Sequence, residues 1–340
     1  MKSRGIIRNA VRMRKFGKTG LEVSEIGFGA WGIGGSLPDA VGYGPTLDSE
    51  SKKALRRAFE LGINFYDTAD LYGFGHSENL LGETFEKERT KVLFASKTGF
   101  LNSGGLQDFS ISHLTKSLQA SLKRLRTDYL DLYQLHNPSV ELLRQKPEIL
   151  EWLFSMKKKG SVRFAGISLR SPDDGLAVVK DWDVDFLQVN FSMIDQRAYE
   201  NGLLDLCLEK GTGFIGRTPL CFGFLSGAYS GEAQFDAADH RSRWSSEQIR
   251  LWSQAAKLFA GTAQSPGQTQ VQRALRYCLS YPGLSTVIPG MLTPSQVDEN
   301  AAAGESGPLP KEERQAIEAV YRNHSFFVKK ENPSVSLAKK

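Results

Sequence analysis

The 340-residue sequence predicts an α/β protein, a single (β/α)8 or TIM barrel, from three observations. Short apolar runs alternate with amphipathic segments over about 280 residues, and eight such runs are present. Most runs are apolar at consecutive positions, which is typical of parallel strands that are covered on both faces. No linker divides the chain, so the repeated units predict one barrel and not two domains.

The predicted strands follow a short N-terminal β-hairpin in the segment MRKFGKTGLEVSEIG. In chain order they are 26–29, 63–67, 92–96, 130–135, 162–167, 186–190, 214–217 and 286–288. About 70 residues separate the last two strands, which is more than one strand–helix unit needs.

Amphipathic helices are predicted between the strands. The segment 48–61 starts with the capping residue Asp48, buries Ala54 and Leu55 on one stripe and ends before Gly62. The same periodicity recurs at 112–127, 140–160, 172–180, 199–210, 267–281 and 294–303. Extra helices are expected at the C-terminal end of the barrel.

The segment GFGAWG at residues 27–32 matches the G-x-G-x-x-G pattern of Rossmann dinucleotide-binding folds. That pattern needs a helix directly after it, whose N-terminus binds the pyrophosphate. Here the next residues, IGGSLPDAVGYGPT, are too rich in Gly and Pro to form one. We therefore reject the Rossmann interpretation and assign these glycines to the end of the first barrel strand, where backbone must approach something closely.

The net charge of +5 comes from the two ends of the chain. Residues 1–15 contain six Lys or Arg and no acid, and residues 329–340 contain four Lys and one Glu, so the remainder is net negative. We assign 1–13 to a flexible basic extension, 14–325 to the barrel and 326–340 to a flexible tail. Nucleic-acid binding needs a clustered basic face, so no nucleic-acid partner is expected.

The sequence shows no sign of membrane or metal association. No apolar run reaches the roughly 18 residues that a membrane helix needs. The N-terminus lacks the apolar core of a secretory signal, although a transit peptide or a non-native extension both remain open. Cys207, Cys221 and Cys278 have neither disulfide nor zinc spacing, so a cytoplasmic location without a bound metal is expected. A homo-oligomer remains an open alternative.

Polar side chains follow several predicted strands at the point where each strand ends. Asp67 ends the second strand and Tyr72 lies just beyond it, Lys97 follows the third, and His136 follows the fourth. Further examples are Ser168, Gln188 and Asn190. Each alone is more often a solvated or hydrogen-bonded loop residue. Active sites of such barrels lie at the carboxyl ends of the strands, so their convergence predicts a catalytic site.

Here the sequence resembles the aldo-keto reductase family over about residues 14–322. The stretches that carry the resemblance are GFGAWGIGG, NFYDTADLYG, FASKTG, DLYQLHNP, GIS, QVNFS, RTPLCFGFLSG and VIPGMLTPSQVDEN. The resemblance implies a nicotinamide cofactor that lies extended across a barrel, and reversible NAD(P)H-dependent reduction of an aldehyde or ketone. Asp67, Tyr72, Lys97 and His136 match the catalytic tetrad of the family.

These residue types suit carbonyl reduction. The developing alkoxide needs a proton, and Tyr72 is the expected general acid. A tyrosine has an unperturbed pKa of about 10, and a nearby Lys97 ammonium is expected to lower it. Asp67 would orient Lys97, and His136 would donate a hydrogen bond to the substrate oxygen. Asp70 is the competing acid in the same loop, and we favour Asp67 because it lies at the strand end.

The resemblance also implies cofactor-binding and substrate-binding positions. Those for the cofactor are Gly29, Ala30, Trp31, Asp67, Ser168, Gln188, Arg217, Pro219, Leu220, Gly223, Leu225, Gly290, Gln296, Glu299 and Asn300. Those for the substrate are Trp31, Tyr72, His136, Phe74 and Phe100. Core packing is an equally weighted interpretation for Trp31, Phe74, Phe100 and Phe191. The sequences of the specificity loops at 100–109 and 228–246 do not indicate which substrate binds.

Two positions depart from the family pattern. Leu169 replaces an asparagine that often helps to hold the nicotinamide carboxamide, and Arg217 stands where an aromatic ring commonly stacks on the nicotinamide. A guanidinium stacked there would favour the neutral, reduced cofactor.

The choice between NADP and NAD depends on charge near the last strand. The family resemblance makes NADP the first choice. NAD is a close second, because the segment PGMLTPSQVDEN has no Lys or Arg to pair with a 2′-phosphate. Arg241 or Arg243 is an alternative source of that charge. A small-molecule carbonyl compound is the expected partner, and a cofactor-binding regulatory subunit with little turnover is the alternative function.

Overall fold

The structure, a computed structural model, describes residues 11–37 and 40–328. Most of the predicted N-terminal extension and C-terminal tail lies outside these residues. The described chain opens with an antiparallel hairpin of β1 (Met13–Lys15) and β2 (Glu22–Ser24). This is the hairpin that the sequence predicted before the barrel.

Eight parallel strands follow in one sheet, in which sequence neighbours are also neighbours in space. The backbone closes this sheet between its first and last strands, where the Gly27 amide donates to Val287 O at 2.7 Å and the Gly29 amide to Pro289 O at 3.0 Å. The predicted single (β/α)8 barrel is thereby confirmed. The strands are β3 (Phe28–Gly29), β4 (Phe65–Asp67), β5 (Leu93–Thr98), β6 (Leu130–His136), β7 (Val162–Ser168), β8 (Phe186–Asn190), β9 (Gly213–Arg217) and β10 (Thr286–Val287).

The hairpin closes the amino-terminal end of the barrel. Phe16, directly after β1, is fully buried, with its ring centroid 6.1 Å from that of Phe65 and 5.6 Å from that of Phe186. Phe65 and Phe186 are the first residues of β4 and β8. These rings belong to an apolar cluster that is separate from the main core. Phe16 therefore acts as a plug at the end of the barrel opposite to the carboxyl ends of the strands.

Replacing this plug, Phe16→Ala, should lower the free energy of unfolding by about 3–5 kcal/mol, because it leaves a cavity among buried rings. Urea denaturation of the variant measures the change. Phe327→Ala removes a ring that is 44% exposed and should change stability by less than about 1 kcal/mol. Equal losses in the two variants would contradict the role of Phe16 as a plug.

Twelve α-helices lie in the described part of the chain. Five of the seven predicted helical segments each correspond to a single helix. Extra α12 follows the barrel at its C-terminal end, as expected. The helices are α1 (Asp48–Glu60), α2 (His76–Phe85), α3 (Ile111–Arg124), α4 (Val140–Gln145), α5 (Glu148–Lys158), α6 (Pro172–Asp181), α7 (Arg197–Glu200), α8 (Leu203–Lys210), α9 (Ser246–Ala260), α10 (Gln270–Leu279), α11 (Pro294–Ser306) and α12 (Lys311–Asn323).

Two predicted helices are divided in the structure. The segment 140–160 was predicted as one helix, which is wrong, because α4 ends and α5 begins around Pro147. Proline lacks an amide hydrogen and disfavours helical backbone in the residue before it. The segment 199–210 is likewise divided, because Gly202 separates α7 from α8 with a φ of 78°.

Two helices were not predicted. In α2, Gly82 interrupts the apolar pattern, yet a side chain there would clash with the Arg124 carbonyl oxygen at the end of α3. The glycine therefore permits close packing of the two helices. Helix α9 fills part of the long interval between β9 and β10, and its buried stripe of Ile249, Trp252 and Phe259 was a readable helical signal.

Three further features bear on partners. Among the described residues, no helix is both long enough and apolar enough to span a membrane. The same residues contain no group of three or more His, Cys, Asp or Glu side chains that could hold a metal ion. Cys207, Cys221 and Cys278 are free, buried thiols.

Candidate active site

The carboxyl ends of the strands open into a cavity of about 830 Å³. This volume lies in the upper part of the range of about 300–1,000 Å³ that is typical of small-molecule sites. Asp67, Tyr72 and His136 line the cavity, and the fully buried Lys97 reaches its wall at Tyr72. The barrel therefore brings all four predicted catalytic residues together.

The Lys97 ammonium is the centre of this cluster. Its nitrogen donates to Asp67 Oδ1 at 2.5 Å and to the Thr68 carbonyl oxygen at 2.8 Å, and it lies 3.3 Å from the Tyr72 hydroxyl oxygen. An ammonium has three hydrogens to donate, and each of them has an acceptor here. The buried charge is thus paired and hydrogen-bonded, as burial of a charge requires.

The loop after β4 places Tyr72 with the help of two glycines. A Cβ at Gly34 would lie 2.9 Å from the Tyr72 carbonyl carbon, and one at Gly73, whose φ is 58°, would clash with Gly34 O. The glycine-rich segment after β3 therefore permits a close backbone approach to the Tyr72 loop. Only a short 3-10 turn at Gly32–Gly34 follows this strand, in agreement with the rejection of a Rossmann fold.

Two amide side chains hold Asp67 from the side opposite Lys97. Gln188 Nε2 donates to Asp67 Oδ2 at 2.7 Å and Gln134 Nε2 does so at 3.3 Å, while Ser168 Oγ lies 3.5 Å from Gln188 Oε1. Sequence reasoning assigned Gln188 and Ser168 to the cofactor and missed Gln134. Gln134 lies two residues before His136 on β6, so the alternation of side chains along a strand, which puts both on the same face, was the available signal.

The competing acid, Asp70, belongs to a different buried cluster. Its Oδ2 accepts a hydrogen bond from Ser117 at 2.5 Å. Burial raises the pKa of Asp70 to about 7, although the Ser117 bond acts in the opposite direction. Lys97 thus pairs with Asp67, the residue at the strand end.

Burial dominates the acidity of Tyr72. It raises the pKa of the hydroxyl, and Lys97 lowers this pKa without outweighing burial. The sequence predicted that Lys97 lowers the pKa of Tyr72. Lys97 does lower it, but the pKa is raised overall because burial has the larger effect. The sequence reveals the neighbouring charge but not the depth of burial. Burial would lower the pKa of Lys97, but Asp67 and Tyr72 offset this and raise it overall. At neutral pH the site holds a protonated tyrosine beside an ammonium.

His136 is a neutral imidazole in this environment. Burial holds its pKa well below the ordinary value, and the charges of Lys97, Arg217 and Arg170 lower it further. Its ring centroid lies 6.1 Å from that of Tyr72 and 4.8 Å from that of Phe100. A neutral imidazole has one N–H donor and one acceptor nitrogen, so His136 can donate a hydrogen bond without carrying charge.

Most of the positions assigned to the cofactor line the same cavity. Ala30, Ser168 and Leu225 are instead buried and are not part of its wall. The lining positions are Gly29, Trp31, Asp67, Gln188, Arg217, Pro219, Leu220, Gly223, Gly290, Gln296, Glu299 and Asn300.

The four aromatic residues that could either contact the substrate or pack in the core differ in their positions. Trp31 and Phe100 line the cavity. Phe191 is fully buried in the core and packs on Tyr277, with ring centroids 6.1 Å apart. Phe74 is 48% exposed and lies outside the cavity wall.

The two departures from the family pattern contact each other. Arg217 Nη2 donates to the Leu169 carbonyl oxygen at 3.0 Å, and Arg217 Nε is buried without a partner in the described part of the chain. The Leu169 side chain is buried away from the cavity. The Arg217 guanidinium therefore lines the cavity with donor capacity to spare.

The part of the cavity wall at Gln296 and Glu299 lies at the start of α11. Arg57 binds Asp298 at 2.7 Å, so the negative charge of Asp298 is neutralised. Arg241 lines the cavity, but Asp239 binds its guanidinium at 2.6 Å.

Tyr43 and Arg170 also line the cavity and were not predicted. Arg170 lies two residues beyond β7, so its place near a strand end was the available sequence signal. Tyr43 lies in a glycine-rich segment without periodicity, and a backbone bridge to Asp239 places it at the cavity.

Comparison with known proteins decides the family. The family model described as Aldo/keto reductase family matches residues 25–322. The chain belongs to the aldo/keto reductase family. It is an oxidoreductase, and the resemblance seen in the sequence is confirmed.

The relatives of this reductase match along almost their whole length. L-galactose dehydrogenase of Arabidopsis thaliana is 32% identical and covers 91% of this chain and 94% of its own. A probable voltage-gated potassium channel subunit beta of the same plant is 26% identical and covers 88% and 93%. An aldo-keto reductase from Bacillus halodurans, solved in its holo form, is 28% identical, covers 94% and 99%, and has a TM-score of 0.75.

Proposed function

We propose that this reductase converts an aldehyde or ketone, for example a keto-sugar or a natural-product intermediate, to an alcohol with NADPH, and that Tyr72 is the general acid. The observation that carries the proposal is the 3.3 Å approach of the Lys97 ammonium to the Tyr72 hydroxyl at the cavity wall, with Asp67 behind it. NADPH oxidation, followed by absorbance against a panel of aldehydes, ketones and keto-sugars, tests it. Failure of the folded protein to oxidise NADPH with any of them would refute it.

The cavity suits a dinucleotide. It reaches from Tyr72 to Asn300, and the lining Gly290 leaves space, because a Cβ there would meet only Tyr43 within 4 Å, at 3.9 Å. Arg217 Nε adds a buried donor without a partner in the described residues. Buried polar groups in proteins are normally hydrogen-bonded, so this donor is suited to a polar ligand. The residues present therefore fit NAD(P)H.

The bound nicotinamide would supply a hydride to the carbonyl carbon. Tyr72 would transfer its hydroxyl proton to the carbonyl oxygen as negative charge develops there. The Lys97 ammonium would stabilise the resulting tyrosinate, and Asp67 keeps that ammonium oriented. Tyr72 would regain its proton from water after the alcohol leaves.

His136 would position the carbonyl oxygen. A neutral imidazole N–H can donate to that oxygen without releasing a proton, and the low pKa of His136 keeps it neutral. The ring of Phe100 packs edge-on against His136 and restricts its orientation. Tyr72 therefore remains the acid of the pair.

We expect a modest preference for NADPH over NADH, below about a thousandfold in kcat/KM, which corresponds to roughly 4 kcal/mol. Arg241 is already paired with Asp239, and Glu299 at the cavity wall can accept from a ribose hydroxyl, which favours NADH. Measuring kcat/KM for both cofactors with one aldehyde checks this expectation. A larger preference would reveal a strong cationic site for the 2′-phosphate.

A cofactor-binding regulatory subunit with little turnover is the second candidate. The channel-subunit relative favours it, since that protein is named as a probable subunit beta of a voltage-gated potassium channel. The paired Lys97 and Asp67 beside Tyr72 favour an enzyme, because binding alone does not require a buried proton donor. Tight NADPH binding without turnover of any carbonyl compound would favour the regulatory function.

A further inference from the structure

Arg170 stands at the catalytic end of the cavity and has no part in the mechanism above. It follows β7 and lines the cavity, and its guanidinium carbon lies 5.8 Å from the centroid of the Phe100 ring. Phe100 packs in turn on His136, at 4.8 Å between centroids. The cation is therefore one aromatic ring away from the residue that would hold the carbonyl oxygen.

The positive charge at this end of the cavity is not balanced by carboxylates. Among residues 11–37 and 40–328, no ion pair joins Arg170 or Arg217 to an Asp or Glu side chain. Asp67 lies at this end and is already bound by Lys97, and Asp195, whose charge also acts on Arg217, is paired with Arg197. Arg241, by contrast, is neutralised by Asp239. Two arginine charges thus face the cavity without a counter-ion from the described chain.

The charges of Arg170 and Arg217 lower the pKa of His136. Burial is the main reason for the low pKa of His136, and Lys97, Arg217 and Arg170 lower it further. Arg170 therefore acts on the place where the substrate oxygen would sit. A positive field in a cleft with low-dielectric walls attracts anions and raises their local concentration.

We infer that the substrate of the proposed reduction carries an anionic group, a carboxylate or a phosphate, and that Arg170 binds this group at the catalytic end of the cavity. The inference rests on the proposed function and names the substrate class. A guanidinium binds either anion through two parallel N–H donors, which fixes orientation as well as supplying charge. The Phe100 ring beneath the guanidinium would support it by a cation–π contact.

Three aldehydes with the same ring test the inference. 4-Carboxybenzaldehyde carries a carboxylate, 4-formylphenyl phosphate carries a phosphate, and methyl 4-formylbenzoate is the neutral analogue. With NADPH, the wild type should show a kcat/KM for at least one anion about tenfold or more above that of the ester, because a charge-assisted hydrogen bond is worth more than its neutral counterpart. The anion with the larger ratio identifies the group that the site prefers, and the ratio should fall as ionic strength rises.

Arg170→Gln should reduce this ratio to near one, mainly by raising KM for the anions. Arg170→Lys should keep part of the preference, because it retains a point charge without the planar donor pair. Arg144→Gln is the matched control, since Arg144 on α4 is exposed and paired with Asp181, and it should leave the ratio unchanged. Calorimetry gives a readout without turnover: the Kd of the product 4-(hydroxymethyl)benzoate should rise about tenfold in Arg170→Gln, and that of its methyl ester should not.

The outcomes separate the two proposals. If the ester is reduced as efficiently as both anions, or if Arg170→Gln leaves the ratio and the product Kd unchanged, the anionic substrate class is overturned and the reductase function stands. Arg170 would then be a solvated side chain that only packs on Phe100. If the folded, NADPH-binding protein turns over no aldehyde or ketone, both proposals fall.

Discussion

Tyr72→Phe is expected to fold, to bind NADPH as the wild type does, and to lose about 10²–10⁴-fold in kcat for carbonyl reduction. The change deletes only the hydroxyl that lies 3.3 Å from the Lys97 ammonium. In the proposed mechanism that hydroxyl acts in the transition state, so the loss should appear in kcat and leave cofactor Kd almost unchanged. Stopped-flow kinetics and calorimetry measure the two quantities.

The matched control is Tyr129→Phe. Tyr129 lies just before β6, at the end of the barrel opposite to the cavity, and the chemical change is identical. Its kcat should equal that of the wild type. A Tyr72→Phe variant with near-wild-type kcat on a good substrate would remove Tyr72 from the role of general acid.

Lys97→Met should reduce kcat by about 100-fold or more and should also destabilise the protein. It removes the ammonium that would stabilise the tyrosinate in the proposed mechanism, and it leaves the buried Asp67 without its partner, which typically costs about 3–5 kcal/mol. Steady-state kinetics and thermal unfolding measure the two effects.

The pH dependence of Lys97→Met has a definite sign. Burial already raises the pKa of Tyr72, and Lys97 is the main group that lowers it, so removal of Lys97 raises this pKa further. In the proposed mechanism alcohol oxidation needs ionised Tyr72. The oxidation rate should therefore rise with pH in the wild type, and in the variant this rise should occur at a still higher pH. Carbonyl reduction needs protonated Tyr72 and should be nearly flat between about pH 6 and 9.

A double variant, Asp67→Asn with Lys97→Met, separates folding from catalysis. It removes both charges, so it should recover much of the stability that the single variant loses, since no unpaired charge stays buried. It should not recover turnover. If the double variant were as active as the wild type, the Lys97 ammonium would have no role in proton transfer.

The barrel could be predicted from the sequence because its signals are local. A consecutive apolar run such as 92–96, VLFAS, indicates a strand covered on both faces, and the structure has it as β5. Helix α1 followed from its apolar stripe and the glycine after it. The errors arose where backbone chemistry overrides periodicity, as at Pro147, or where a glycine serves packing, as at Gly82.

The catalytic candidates were also predictable, for a topological reason. Parallel strands of a barrel end at one face, so Asp67, Lys97 and His136 had to converge once the strands were assigned. The choice of Asp67 over Asp70 followed from its place at the strand end, and the contacts of Lys97 agree with it. The loop residues that line the cavity beside them could not be predicted, since loop sequences have no periodicity.

The sequence by itself determined the order of the strands, the end of the barrel at which the candidate site lies, and the types of residue found there. Only the tertiary structure decided how those residues act on one another. It showed that Gln134 and Gln188 hold Asp67, that burial outweighs Lys97 in setting the pKa of Tyr72, and that Arg170 lacks a carboxylate partner in the described chain. Periodicity is a property of neighbouring residues, whereas burial and charge pairing depend on segments that are far apart in the chain and meet only when the barrel closes.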